Sequence, residues 1–156
     1  TRLTFDDSAD TEQIWSHDGR FLAFSSGRSK VDNVYRKRAD GSGEEERLST
    51  ADDPHWPNSW SPDGQSVAVS LLRGNGNFDV MSLSVATKVL TPLLQTNCRE
   101  SDPTISPDGR WMAYTSNESG RRKTSVLRYW SVAYGPRRRR RGQHPKSARV
   151  EKTQRG

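Results

Sequence analysis

Trp60-Ser61-Pro62-Asp63-Gly64 decides the fold of this 156-residue chain, because close versions of it occur three times at a fixed spacing. Trp15-Ser16-His17-Asp18-Gly19 lies 45 residues before it, and Ile105-Ser106-Pro107-Asp108-Gly109 lies 45 residues after it. A repeat of this length that carries strand signals is typical of a propeller or solenoid. Other landmarks keep the same step: Leu3, Leu48, Leu93, Ala23, Ala68 and Ala113.

The Ser-x-Asp-Gly part of each repeat predicts a tight turn between two strands. Pro62 and Pro107 fix φ near −65° at the second turn position, and the aspartate side chain can bond its own backbone. The glycine accepts the positive φ that closes the turn. In the first copy His17 stands in place of proline, which loosens the turn and leaves Asp18 and Gly19 to form it.

Short apolar segments on both sides of these turns predict an all-β chain. They are rich in β-branched and aromatic residues and bounded by turn residues, and no window keeps a helical apolar spacing without Gly or Pro. Four short strands per 45 residues is the pattern of one propeller blade, so we predict an incomplete β-propeller with two full four-stranded blades and part of a third. The predicted strands are 12–16, 21–26, 32–38, 46–50, 57–61, 66–71, 78–83, 88–94, 102–106 and 110–116.

The net charge of +6 is the sum of two unlike regions. Residues 1–120 hold 12 Lys+Arg and 18 Asp+Glu, whereas residues 121–156 hold 13 and 1. We therefore predict a propeller region over 1–120 and an irregular, disordered basic tail over 121–156.

Only 30% of residues are hydrophobic, and no apolar run reaches the roughly 18 residues that a membrane-spanning helix needs.

The repeat resembles that of the TolB-like propeller family. The resemblance rests on Trp-Ser-Pro-Asp-Gly with its following strand, together with Arg-Leu-Thr or Arg-Leu-Ser on the outer strand, and covers about residues 1–120. Segments 39–44, 92–96 and 106–114 look most like propellers appended to bacterial serine/threonine kinases. Prolyl-oligopeptidase-type peptidases carry a similar propeller, so the resemblance implies fold more firmly than activity. It also implies a periplasmic or extracytoplasmic location.

A closed propeller has about four to eight blades, and this sequence offers three at most. Residues 1–4 have the pattern of an outer strand from a preceding blade. We therefore expect the missing blades to come from another chain or from the rest of a longer protein.

The basic tail contains five consecutive arginines, for which two interpretations stay open: Arg137, Arg138, Arg139, Arg140 and Arg141. Such a run neutralises phosphate well, which indicates a nucleic-acid-binding tail. We favour a solvated tail without an evolved partner, produced by a change of reading frame, because the repeat stops abruptly after Ser116.

The sequence holds no recognisable catalytic motif and predicts no cofactor. We assign His17 and His55 to surface or turn roles, and we expect no metal at Asp18, Asp63 or Asp108, because calcium takes six to eight oxygen ligands. Trp15 and Trp60 are predicted to pack in the core.

Loops leading into the innermost strands are where a propeller presents a rim for a partner. The rim predicted here is acidic and consists of Asp52, Asp53, Glu100 and Asp102. The resulting prediction is a non-catalytic scaffold that binds a protein or peptide. Two alternatives remain: a sensor or gating propeller of a kinase or peptidase whose catalytic domain lies elsewhere, and nucleic-acid binding through the tail.

Overall fold

The computed structural model describes residues 2–129, and every regular element in this range is a β-strand. The strands form three antiparallel sheets, two with four strands and one with three. They are β1 (Asp10–Trp15), β2 (Phe21–Ser26), β3 (Asn33–Arg38), β4 (Glu46–Arg47), β5 (His55–Trp60), β6 (Ser66–Leu72), β7 (Phe78–Ser84), β8 (Leu90–Leu94), β9 (Glu100–Ile105), β10 (Trp111–Ser116) and β11 (Lys123–Arg128).

Each sheet is one blade, and the strands lie side by side in sequence order within it. The first strands of the blades, β1, β5 and β9, begin 45 residues apart at Asp10, His55 and Glu100. They contact one another from blade to blade, which makes them the innermost strands. The predicted all-β, incomplete propeller is therefore confirmed.

The Ser-x-Asp-Gly turns have one geometry in all three blades. In the second blade Ser61 Oγ donates to Asp63 Oδ1 at 2.5 Å and accepts from the Ser66 N–H at 3.0 Å. Gly64 closes the turn with φ of 70°. The corresponding serine-to-aspartate distances are 2.7 Å in the first blade and 2.6 Å in the third. The serine thus takes part in each turn together with the Asp-Gly pair.

The core lies between blades, where two sheet faces meet. Ala23 and Val34 of the first blade pack against Val67 and Val69 of the second. The opposite face of the second blade, with Ala68 and Val80, packs against Met112 and Tyr114 of the third. Each blade is therefore stabilised by its neighbours, as expected for a repeat architecture.

The prediction that both tryptophans pack in the core is right for Trp60 and wrong for Trp15. Trp60 is 8% exposed and packs against the first blade, whereas Trp15, at the same position in the first blade, is 60% exposed. This position packs against the preceding blade, and among residues 2–129 no strand precedes β1. The neighbouring sheet, more than the residue type, sets the burial of this position.

The third blade extends beyond the predicted boundary at residue 120. β11 pairs along its whole length with β10, from Trp111 opposite Arg128 to Ser116 opposite Lys123. Leu127 and Tyr129 pack against the blade interface, which fixes this strand. Regular structure thus continues into the segment predicted as an irregular tail, and residues 130–156 lie outside the described part of the chain.

Candidate protein-interaction surface on the innermost strands

A groove of about 250 Å³ lies where the innermost strands of the three blades end. Its walls come from equivalent positions of the repeat, so each blade contributes the same part of its structure. We call it the inner groove, and its lining includes Trp15, Trp60, Ile105, His17, Pro62, Pro107, Asn58 and Ser59.

The lining of the inner groove is mixed, with apolar side chains such as Trp15 beside polar ones such as Asn58 and Ser59. Pro62 and Pro107 occupy the second position of their turns, and His17 takes that place in the first blade. Ser59 Oγ accepts the Ile105 N–H at 3.0 Å, which joins the second and third blades beneath the groove. A concave surface that combines apolar side chains with fixed polar groups can orient a ligand.

The predicted acidic rim lies at the opposite end of the innermost strands. Asp52 and Asp53 are exposed in the segment between β4 and β5, as expected. Glu100 is not part of the exposed rim, because its side chain is buried at the start of β9 and accepts from Thr96 Oγ1 at 2.8 and 2.9 Å. The prediction for Glu100 is wrong because the strand begins two residues earlier than expected and carries this residue into the blade interface.

Asp102 is exposed, as predicted, but it lies within β9 and not in a loop. It occupies a β-bulge, where Asp102 and Pro103 stand opposite Tyr114, and its φ is 56°. Glu12 holds the same place in β1 with φ of 53°. Both carboxylates are exposed on innermost strands, and the bulges re-aim their side chains, so they belong to the inner surface.

His55 was assigned a surface or turn role, and this prediction is wrong. It is the first residue of β5 and is completely buried between the first and second blades. Its Nδ1 lies 2.8 Å from the carbonyl oxygen of Asp53 and its Nε2 lies 2.6 Å from Ser49 Oγ. Desolvation lowers the pKa of His55 below its ordinary value. The 45-residue step that relates His55 to Asp10 and Glu100 could have identified it as a strand start.

The carboxylates of Asp18 and Asp108 accept hydrogen bonds from other residues of their own turns. Hydrogen bonds from Ser16 and the Arg20 N–H lower the pKa of Asp18, and those from Ser106 and Arg110 lower that of Asp108. Within residues 2–129 no three His, Cys, Asp or Glu side chains are grouped to hold a metal ion.

No helix in that range could span a membrane. The five consecutive arginines, 137–141, fall outside the described residues.

The sequence profile of the TolB beta propeller domain matches residues 1–140. The chain belongs to the TolB β-propeller family. This agrees with the resemblance read from the repeated turn motif.

Three bacterial proteins that are similar to this chain are all longer than it. Atu1656 from Agrobacterium fabrum, an uncharacterised protein, is 34% identical over 97 residues, covering 57% of this chain and 33% of that protein. YuxL from Bacillus subtilis, an uncharacterised peptidase, is 26% identical over 152 residues, covering 73% and 23%. The structure of TolB from Acinetobacter baumannii matches with a TM-score of 0.68 and 28% identity, covering 82% and 32%. The chain thus spans a third or less of each of these relatives.

Proposed function

We propose that this chain is a non-catalytic interaction module whose inner groove binds an extended segment of a protein or peptide. The observation that carries the proposal is that all three blades contribute equivalent residues to one cleft. The bulges that carry Glu12 and Asp102 add carboxylates to the same inner surface. Blades supply a rigid frame, and the strand ends and turns supply the contacts.

The chemistry of the surface indicates what kind of segment it would take. Trp15, Pro62 and Pro107 favour apolar or proline-containing side chains, because flat apolar groups pack well against them. Asp52, Asp53 and Asp102 favour a basic residue at the other end of the innermost strands. An extended peptide with apolar residues followed by Lys or Arg satisfies both ends.

Selection of random displayed peptides on the immobilised full chain tests this proposal. Selected peptides are then measured by fluorescence polarisation against the unmodified chain and against a His17→Glu/Pro107→Glu variant, which places two charges in the groove. We expect the variant to weaken binding about tenfold or more, since each 1.4 kcal/mol is a factor of ten.

A matched control adds the same charges outside the groove, at exposed positions Gln65 and Thr87. The Gln65→Glu/Thr87→Glu variant should bind selected peptides as the unmodified chain does. Equal binding by all three proteins, or the absence of any enriched peptide, would overturn the proposal.

A second candidate is a propeller that gates or senses for a catalytic domain elsewhere in a longer protein. The similarity to the Bacillus peptidase favours it, because the match covers 73% of this chain and 23% of that protein. Sequencing the coding region on both sides tests this. A Gly-x-Ser-x-Gly motif between a strand and a helix, or the kinase catalytic motifs, in the same frame would support it. Uninterrupted propeller repeats without such motifs would count against it.

A further inference from the structure

We propose that Asn75 is a site of spontaneous deamidation, at which the backbone nitrogen of Gly76 attacks the side-chain amide and converts a neutral side chain into an acidic one. The site lies in residues 73–77, which connect β6 to β7 at one end of the second blade. We call this segment the 73–77 loop. The inner groove lies at the other end of the innermost strands, so the proposal does not depend on what the groove binds.

The first observation is the dipeptide Asn75-Gly76. Asn75 is the only asparagine of the chain that precedes glycine. Because glycine has no Cβ, its backbone nitrogen can be approached by groups that other residues would exclude. A Cβ placed on Gly76 would meet no atom within 4 Å, and the same is true of Gly74. The loop therefore has room for the cyclic imide that deamidation forms.

The second observation is the position of the side-chain carbonyl. Asn75 Oδ1 accepts the Asn77 N–H at 3.0 Å, and Gly76 is the residue between them. This is the bond of an Asx turn, which folds the side chain back over the following peptide group. The amide carbon of Asn75 is thereby held beside the nitrogen that attacks it. The Asn77 N–H also donates to the oxygen on which negative charge develops, and a positioned donor of this kind stabilises an addition step.

Asn117 is exposed like Asn75, but its side chain is held in another way. Its Oδ1 accepts the Arg99 N–H at 2.8 Å, which is a bond to a different segment of the chain. That bond draws the amide away from its own following peptide group. The next residue is Glu118, whose side chain adds bulk beside the attacking nitrogen. We therefore expect Asn117 to keep its amide.

Asp40 has the local geometry of Asn75 but a less reactive side chain. Its Oδ1 accepts the Ser42 N–H at 2.9 Å across Gly41. Hydrogen bonds from the Ser42 hydroxyl and N–H, together with one from Arg38, lower the pKa of Asp40 to about 2. The carboxylate is therefore ionised at neutral pH, and its negative charge disfavours attack by the glycine nitrogen. Of these two sites, only Asn75 combines the turn geometry with a neutral carbonyl.

The reaction requires only the loop and water. The Gly76 N–H donates to the Arg73 carbonyl at 2.9 Å, and this bond opens before the attack. The Gly76 nitrogen then loses its proton to water and bonds to Cγ of Asn75, and the side-chain nitrogen takes up a proton and leaves as ammonia. Water next adds to the resulting imide. Addition at Cγ leaves aspartate, and addition at the main-chain carbonyl carbon leaves isoaspartate, in which the main chain runs through Cγ.

The two products should change the loop differently. Aspartate keeps an oxygen that can accept the Asn77 N–H and adds a negative charge to a loop whose only charged residue is Arg73. Isoaspartate lengthens the main chain, so the Arg73 N–H can no longer reach the Asn77 carbonyl, to which it now donates at 2.8 Å. Arg73 also donates to the Thr96 carbonyl at 2.6 Å, and Asn77 Nδ2 to the Asn97 carbonyl at 3.2 Å. Isoaspartate should therefore loosen the contact between the loop and the segment that leads into the third blade.

Ageing of the full chain at neutral pH, followed by peptide mapping with mass spectrometry, tests the proposal. We expect the peptide that contains Asn75 to gain the mass difference between an amide and an acid, and to separate into aspartate and isoaspartate forms on chromatography. Asn117 and Asp40 are internal controls. Each should react at least about tenfold more slowly, which corresponds to about 1.4 kcal/mol in activation free energy.

Three variants separate the chemistry from its structural effect. Asn75→Gln keeps an amide on a longer side chain and should abolish the conversion, whereas Asn97→Gln alters another exposed asparagine and should leave the rate at Asn75 unchanged. Asn75→Asp supplies the charge without the longer main chain. Hydrogen exchange at the Arg73 amide should therefore be as slow in Asn75→Asp as in the fresh chain, and faster in the aged isoaspartate form.

The rate at Asn75 and the exchange rates decide the outcome. An Asn75 amide that survives ageing, or that is lost no faster than the amide of Asn117, would overturn the proposal. Equal hydrogen exchange in the fresh and isoaspartate forms would overturn its structural consequence. Peptide binding in the inner groove has no part in any of these measurements.

Discussion

The imidazole of His55 and the hydroxyl of Ser49 meet 2.6 Å apart across the boundary between the first and second blades. The Asp53 carbonyl accepts from Nδ1 at 2.8 Å, so Nε2 of the neutral ring accepts from Ser49. Ser49 Oγ also accepts the Val34 N–H at 2.9 Å. One buried histidine thus joins the inner strand of one blade to the outer and third strands of its neighbour.

We predict that stability falls as the pH drops below about 6.5, the ordinary pKa of histidine. Burial lowers the pKa of His55, aided by the charge of Arg47 and opposed by Asp53 and Asp32. Between the folded and unfolded pKa values the unfolded chain binds the extra proton, so stability is complete above 6.5 and decreases through this window. Urea unfolding between pH 7.5 and 5 measures the change.

Two variants assign this pH dependence to the correct histidine. His55→Gln removes the titrating group and should flatten the unfolding free energy between pH 7.5 and 5. His17→Gln replaces an exposed histidine and should keep the slope of the unmodified chain. A slope that survives in His55→Gln would contradict the assignment. Burial raises the pKa of Asp10, but hydrogen bonds from Ser26, Thr4 and Arg28 lower it below its ordinary value. Such carboxylates therefore affect the unfolding free energy only at lower pH.

The turn serines should differ in importance according to their burial. Ser61→Ala removes the acceptor of the buried Ser66 N–H, and we expect a loss of about 1–3 kcal/mol. Ser106→Ala removes the equivalent bond to the Trp111 N–H, which lies at an exposed site where water can replace it. We expect about 0.5–1 kcal/mol for that variant. Equal losses in chemical denaturation would show that burial does not control the contribution.

The blade repeat could be predicted from the sequence because its turns depend on local chemistry. Pro62, Asp63 and Gly64 specify their turn without any distant contact, and the fixed step then places each strand. β11 was missed because its Lys-Thr-Ser-Val-Leu-Arg sequence is polar at both ends and lies at a sheet edge. Pairing with β10, a tertiary property, forms that strand.

The inner surface was predicted less well, because its burial depends on neighbouring blades. Trp15 and Trp60 have the same local sequence pattern and opposite exposure, so no local rule could separate them. Glu100 and His55 were assigned to exposed loops because the innermost strands begin with polar residues. The inner groove was not predicted, because the distance between equivalent residues of neighbouring blades is a tertiary property that the 45-residue step does not give.

Gly64 and Gly74 offer a test of backbone strain without any steric contact. A Cβ at either glycine would meet no atom within 4 Å, but φ is positive only at Gly64. Gly64→Ala should therefore destabilise the chain by about 1–2 kcal/mol, the cost of the left-handed conformation. Gly74→Ala should be neutral or slightly stabilising, because it restricts the unfolded chain. Thermal unfolding of both variants measures the difference, and equal destabilisation would refute the strain argument.

Arg28 should be the most important charged residue of the first blade. Its guanidinium lies 3.0 Å from Asp10, pairs with Glu45, and covers the rings of Phe24 and Tyr35 at 5.7 and 4.7 Å. Arg28→Ala leaves two half-buried carboxylates without their partner, and we expect a loss of about 1–3 kcal/mol. This side chain covers part of the face that a preceding blade covers in the second and third sheets.

Substitution by lysine separates the charge of Arg28 from its shape. Arg28→Lys keeps the charge but loses the planar fork and the ring contact, so its unfolding free energy should lie between those of Arg28→Ala and the unmodified chain. Arg20→Ala is the control, since Arg20 pairs with Asp18 at 3.9 Å on the exposed surface. It should change stability by less than about 0.5 kcal/mol. If Arg28→Ala were no worse than Arg20→Ala in urea denaturation, the first blade would not depend on this cluster, and its aromatic face would have to be held by the sheet alone.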